Sequence, residues 1–222
     1  MSVVIPTLNA AETLPSVLNV LRSAPPVREI IIADGGSVDK TTALAAAAGA
    51  RVVTAPLGRG TQLAAGATAT SGMWLLFLHA DCRPEQSWPE AVAAFVKAPQ
   101  AERYAGYFDF KLDDGARAAR RLERIVAWRC RVLALPYGDQ GLLISRSLHD
   151  AVGGFASLPL MEDVDLVRRL GRRRLTRIGA RCVASARRYR QDGYWLRPLR
   201  NLFCLSLYFA GMPPEWIARL YG

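Results

Sequence analysis

MWLLFLHADC, residues 73–82, runs from an almost wholly apolar stretch straight into a histidine, an aspartate and a cysteine. The short, unbroken apolar run predicts a strand buried on both faces, with an acidic residue at its carboxyl end. The same signature recurs upstream, in SVVIP (2–6), REIIIAD (28–34) and RVVTA (51–55). Each run precedes a helical pattern: AAETLPSVLNVLRS, SVDKTTALAAAAGA and GTQLAAGATATSG, with PEQSWPEAVAAFVKA following residues 73–81. Four β–α units in series predict a doubly wound α/β fold with a mainly parallel sheet and helices on both faces. Ligands of such sheets gather beyond the carboxyl ends of the strands, and Asn9, Asp34, Arg59 and Asp81 all fall at those ends or shortly after them.

The pattern changes after residue 100. YAGYFDFKL (104–112) alternates as a half-exposed or antiparallel strand does, and GARAARRLERIVAWRCRVLAL is helical and basic. PYGDQGLLISR (136–146) combines turn chemistry with a short strand. LMEDVDLVRRLGRR (160–173) predicts a helix with acids in its first turn and arginines in its last, as the helix dipole favours. Residues 174–190 read as one or two strands, and 195–221 as a closing amphipathic helix whose apolar face covers the sheet. Trp195, Arg197 and Arg200 ahead of the apolar run 202–212 also suit contact with a membrane surface. With no repeat, low-complexity tract or linker, the 222 residues are read as one domain.

Charge is unevenly placed. Residues 1–111 carry 9 Lys+Arg against 9 Asp+Glu, and residues 112–222 carry 20 against 10, so the second half holds the whole net charge of +10. The bases are 26 Arg and 3 Lys, a bias suited to phosphate or carboxylate recognition, which leaves nucleic acid and acidic lipid open as partners. The four cysteines show neither CxxC nor Cys/His metal spacing and are expected to be reduced thiols in a cytosolic protein. The first strand pattern begins at residue 2, so no signal peptide is expected. The 11-residue run 202–212 is too short to span a bilayer.

The loops at the strand ends exclude some chemistries. PTLNAAE after the first strand lacks the glycines of a dinucleotide fold, and GxxxxGK[ST] occurs nowhere. Asp34, in ADGGSVD, can accept hydrogen bonds from a base N–H or a ribose hydroxyl. Asp/Gly turns with Ser37 as a helix N-cap explain the same stretch without a ligand.

Taken together and in order, VVIPTLNAAETLP, IIADGGSVD, GRGTQLAAG, LLFLHAD, GDQGLLISR and MEDVDLVRRL resemble the motifs of family 2 glycosyltransferases of the GT-A fold, over about residues 2–190. PYGDQG, PLMEDV and SARRY are similar to a narrower, short branch, transferase 2, rSAM/selenodomain-associated, also labelled arsenosugar-biosynthesis glycosyltransferase. The resemblance implies a division into a nucleotide-sugar-binding half, about 1–100, and an acceptor and catalytic half, about 101–222. It implies that Pro6, Thr7, Asn9 and Glu12 border the base and ribose of a nucleoside-diphosphate-sugar, that Asp34 contacts the base, and that Arg59 lies near the nucleotide. A uracil base is favoured only weakly. HAD (79–81) stands in place of the DxD motif, so Asp81 is implied to hold a divalent cation, Mg²⁺ or Mn²⁺, bridging the donor phosphates. Asp163, beside an orienting Glu162, is implied to be the catalytic base of an inverting transfer to a small-molecule or lipid-linked hydroxyl acceptor. The cellular site expected is the cytoplasm, with contact at the inner membrane face allowed.

Elementary chemistry qualifies these roles. One carboxylate plus phosphate oxygens suffices for a hard cation that keeps several waters. His79, where DxD has its first acid, can bond a ribose hydroxyl, ligate Mn²⁺ or simply end a strand. The dipole at a helix N-terminus makes Asp163 a weak resting base, yet late proton transfer from an attacking hydroxyl remains workable. GDQG can place Asp139 and Gln140 beside an acceptor, or can be a plain turn. Arg187 and Arg188 can clamp a diphosphate, while Arg172, Arg173 and Arg174 read as a solvated face. Two other readings stay open: a nucleotidyltransferase, which would want a Gly-rich basic loop after the first strand, and a non-enzymatic anion- or nucleic-acid-binding protein using the Arg-rich half.

Overall fold

The computed structural model describes residues 1–221. The upstream apolar runs form β1 (Ser2–Thr7), β2 (Glu29–Asp34), β3 (Arg51–Thr54) and β4 (Trp74–Phe77), interleaved with α1 (Leu14–Arg22), α2 (Thr41–Ala47) and α3 (Arg59–Thr68). β1 pairs in parallel with β2 and β4, and β2 with β3. Burial on two sides explains why these strands are apolar throughout. Val3, Ile5 and Ile32 pack in one cluster with Leu14, Leu18 and Leu21 of α1, while Val4 and Ile31 pack in another with Leu63 and Ala67 of α3. Successive side chains of a strand point to opposite faces, so each face has its own helix layer.

The remaining elements are β5 (Cys82–Pro84), α4 (Trp88–Lys97), β6 (Ala105–Leu112), α5 (Arg117–Leu133), β7 (Leu142–Ser145), α6 (Arg146–Ala151), α7 (Glu162–Leu170), β8 (Leu175–Ala184), α8 (Arg187–Asp192), α9 (Leu196–Phe209) and α10 (Pro214–Tyr221). The sheet has eight strands in the order β3-β2-β1-β4-β7-β6-β8-β5. β7 is antiparallel to both β4 and β6, β6 is parallel to β8, and β5 is antiparallel to β8.

Residues 78–81 alone join β4 to β5, although three strands separate the two in the sheet. Four inter-strand spacings in a flat sheet amount to about 19 Å, whereas five residue steps of extended chain reach at most about 17 Å. The joint is not even extended, because the Cys82 amide donates to the carbonyl of His79 at 3.1 Å. The sheet therefore curls, bringing β8 and β5 round toward β4. Ser185, just past β8, closes the curl by donating its amide to the Asp81 carbonyl at 3.0 Å.

Three sequence expectations are corrected here. Cys82 and Cys182 are joined in a disulfide across β5 and β8, with Cα atoms 5.9 Å apart, instead of being thiols; the residues are 100 positions apart and only the curled sheet brings them together. Cys130 and Cys204 are free and buried. Residues 187–192 are helical rather than extended, with the Ala186 amide bonded to Asp113 Oδ1 at 2.5 Å just before the first turn. Residues 195–221 form two helices, since Gly211 turns at φ +85° and Pro213 and Pro214 follow it. No helix among the described residues is long and apolar enough to cross a membrane.

Candidate active site

The short joint points Asp81 into a cavity of about 120 Å³, where β4, the 137–139 turn, the start of α7 and the end of β8 converge. Arg59, His79, Asp139, Asp163 and Arg188 line the same cavity. Asp81 and Asp163 are 82 residues apart in sequence and share this one space. Asp163 lies in the first turn of α7, which begins after Met161 in the left-handed region (φ +66°). Its Oδ2 accepts the Gly138 amide at 2.7 Å and its Oδ1 the Val164 amide at 2.7 Å. Two amides thus fix the carboxylate while leaving lone pairs free toward the cavity.

Arg59 opens α3, and its position depends on Gly60. A Cβ on Gly60 would stand 2.1 Å from the Ala156 carbonyl oxygen and 2.7 Å from the Leu158 nitrogen, so α3 rests backbone to backbone on the segment leading to α7. Burial works against the Arg59 charge, but Glu162, Tyr221, Asp163 and Asp81 face it and raise its pKa overall. Burial and the Arg59 guanidinium push the His79 imidazole down to about 4, so it is neutral near pH 7. The His79 ring packs on Gly138, where a Cβ would fall 2.3 Å from Nε2. Burial, followed by Asp163 and Asp81, pushes Asp139 up to about 6, and its Oδ1 has no partner. Glu162 is fully buried with both oxygens unpartnered; burial first, and then Asp163, pushes it up to about 8, so it carries a proton at neutral pH.

The loop after β1 and β2 is built differently. Asp34, 4% exposed, accepts four hydrogen bonds: from the Thr7 hydroxyl at 2.8 Å, the Ser37 hydroxyl at 2.6 Å, and the Gly36 and Ser37 amides at 3.0 and 2.8 Å. Burial opposes its charge, yet the donors, Ser37 foremost, hold its pKa below the usual carboxylate value. Asn9, with φ +51°, accepts the Val38 amide on Oδ1 at 3.0 Å. Pro6 lies in β1, and Glu12 is exposed and pairs with Arg187.

The sequence-derived candidates therefore divide. Asp81, His79, Arg59, Asp139, Asp163 and Arg188 come together, with Glu162 buried directly behind Asp163. Pro6, Thr7, Asn9 and Asp34 form a neighbouring edge at the carboxyl ends of β1 and β2. Arg187 points to Glu12 rather than lining the cavity. Gln140 departs from the expectation of acceptor contact. It is 1% exposed, its Nε2 donates to the Phe108 carbonyl at 3.0 Å, and its Oε1 accepts from Arg129 at 3.0 Å. With its amide committed to holding the turn, it has no hand free for a ligand.

Several lining residues escaped sequence reasoning: Tyr137, Ser185, Tyr189, Arg197, Asn201 and Tyr221. PYGDQG held the signal for Tyr137. Arg197 and Asn201 were missed because the apolar pattern of 196–209 assigns its inward face to leucines. Among the described residues, no three of His, Cys, Asp or Glu converge closely enough to hold a metal ion unaided. The donor set fits a cation shared with a ligand: Asp81, an unpartnered acceptor on Asp139, and an open cavity between them.

The curled, mainly parallel sheet with helices around it has the GT-A class of fold. The glycosyl transferase family 2 pattern matches residues 2–160, and the chain belongs to that family. The glycosyltransferase AglE of Haloferax volcanii is 29% identical over 133 residues, which are 55% of this chain and 44% of AglE, so the match spans under half of that relative's length. Glucosyl-3-phosphoglycerate synthase from Mycobacterium tuberculosis, solved with Mn²⁺, uridine diphosphate and glucosyl-3-phosphoglycerate, superposes with a TM-score of 0.55 at 25% identity, covering 83% of this chain and 69% of that one. S. aureus TarS in complex with UDP-GlcNAc shares the fold at 17% identity, with a TM-score of 0.64 over 83% of this chain and 58% of that one.

Proposed function

We propose that the chain catalyses inverting, divalent-cation-dependent transfer of a glycosyl group from a nucleoside-diphosphate-sugar, UDP-linked by preference, to a hydroxyl acceptor that is either a small molecule or lipid-linked. The observation that carries this reading is the shared cavity of Asp81, Asp163 and Arg59. Residues of about 1–100 serve the donor and those of about 101–222 the acceptor and the chemistry, within one domain working in the cytoplasm.

Thr7, Asn9 and Asp34 form the edge that receives base and ribose, with Pro6 and Glu12 bordering it. Arg59 and Arg188 face the diphosphate, and Asp81 would hold Mg²⁺ or Mn²⁺, with neutral His79 beside it. The cation, when bound, neutralises charge building on the departing β-phosphate. Asp163 accepts the proton of the attacking hydroxyl on the opposite side of the anomeric carbon, which inverts the configuration there. The amides of Gly138 and Val164 keep that carboxylate aimed. Protonated Glu162 spares Asp163 a second negative charge at its back, and Asp139 positions the acceptor.

Titration calorimetry with UDP in the presence and absence of Mn²⁺ tests the assignment. Asp81→Ala is expected to remove the Mn²⁺-dependent gain in affinity, at least tenfold, whereas Asp163→Asn is expected to bind UDP within twofold of wild type while losing transfer. Mn²⁺-enhanced binding that survives Asp81→Ala would sink the reading.

A further inference from the structure

The N-terminal half of α9 turns its apolar side chains outward. Its apolar side chains Leu196, Leu199, Leu202 and Phe203 are 71%, 58%, 56% and 57% exposed, while Arg197 is 9% exposed and lines the catalytic cavity with Asn201. On a helix, positions 196, 199, 202, 203 and 206 share one face and 197, 201, 204 and 208 the other. The N-terminal half of α9 thus departs from the expected apolar-inward packing, which returns at Cys204 and Leu205. α5 buries Ala119, Leu122, Val126 and Cys130 but leaves Ile125, Trp128 and Val132 exposed along another flank. The two helices lie near each other. The Arg121 guanidinium stacks 5.4 Å from the ring centroid of Trp195, just ahead of α9, and Leu135, just past α5, joins the apolar cluster of Cys204 and Leu205. Twelve of the seventeen large hydrophobic residues exposed among those described lie on α5 or from Trp195 onward, far more than scattered surface apolar residues would place there.

The other flank of α5 is basic. A groove of about 490 Å³ between α5 and the strands β6 and β8 is lined by Arg120, Arg124, Arg131, Arg177 and Arg181. Arg120 and Arg177 are neutralised by Glu123 and Asp109. Arg124, Arg131 and Arg181 make no ion pair among the described residues. An apolar stripe edged by tryptophans, next to a row of free guanidiniums, is the pairing that an anionic bilayer interface accommodates: acyl chains against the stripe, phosphates against the arginines. Nucleic acid would use the arginines but leave the leucines wet.

We propose that the face formed by α5 and α9 docks on an anionic phospholipid surface, through α9 side chains inserted at the headgroup boundary and through Arg124, Arg131 and Arg181 on lipid phosphates. The proposal stands whether or not the cavity transfers sugars. Flotation of the full chain with phosphatidylcholine vesicles, with and without phosphatidylglycerol, tests it. Binding is expected only with phosphatidylglycerol, and salt is expected to weaken it. The double variant Leu199→Glu, Phe203→Glu is expected to bind at least tenfold more weakly, and Arg124→Gln or Arg131→Gln about fivefold each. These side chains are solvent-exposed, so the thermal midpoint should be unchanged. Absence of flotation, flotation equal on neutral vesicles, or a dimer in light scattering that the double variant dissolves would each overturn the proposal; the last would mean that a second copy covers the face.

Discussion

The carboxylate of Asp34 and the pair Asp139 and Glu162 sit a few strands apart and are treated in opposite ways. Asp34 is charged and satisfied by four donors, three from the loop it organises and one from Thr7 at the end of β1. Around the cavity, Asp139 keeps an orphan oxygen and Glu162 two, and both titrate upward. The first arrangement stabilises the protein by itself. The second leaves an acceptor on cavity-lining Asp139 unsatisfied, with proton-bearing Glu162 buried behind Asp163, as sites that act on a ligand commonly do. Burial of an acid is therefore uninformative until its donors have been counted.

Three substitutions sharpen that contrast. Asp34→Ala strips a partner from four donors at once and should cost about 3 kcal/mol by urea unfolding at pH 7. The sign with pH comes from its lowered pKa: the contribution is present above the ordinary carboxylate pKa and is lost as pH falls through the folded value, so mutant and wild type should converge in acid. A cost below about 1 kcal/mol would mean that the loop network is weaker than its geometry implies. Gly138→Ala forces the His79 ring off its seat and should lower stability by about 1–2 kcal/mol while weakening UDP binding, measured by calorimetry. Glu162→Gln has its smallest effect in acid, where the carboxyl is protonated in both folded and unfolded states. Because the folded pKa is raised, the wild-type carboxyl binds more protons folded than unfolded, and stability declines as pH rises from the ordinary glutamate range toward 8. The glutamine variant should flatten that decline, gaining about 1 kcal/mol on wild type between pH 7 and pH 8 in unfolding scans. A parallel decline in both proteins would place the titrating group elsewhere.

Much of the first half could be read from the sequence because its strands are buried on both faces and its helices carry apolar stripes that point inward. α1 buries Leu14, Val17, Leu18 and Leu21 as its spacing predicts. Asp81, Arg59 and Asp163 were nameable because motif chemistry sits at element ends, where the alternation breaks. What stayed hidden depended on contacts between distant segments. The Cys82–Cys182 disulfide requires the curl of the sheet, and Gln140 looked like a ligand group because its partners, Phe108 and Arg129, lie outside its own motif. α9 misled for a different reason. Amphipathicity fixes that a helix has two faces, but not which one meets protein.

The four-residue joint between β4 and β5 has a further consequence. Its turn is held by the Cys82 amide on His79 and by the Ser185 amide on Asp81, so a change of length there would have to break one of these two bonds.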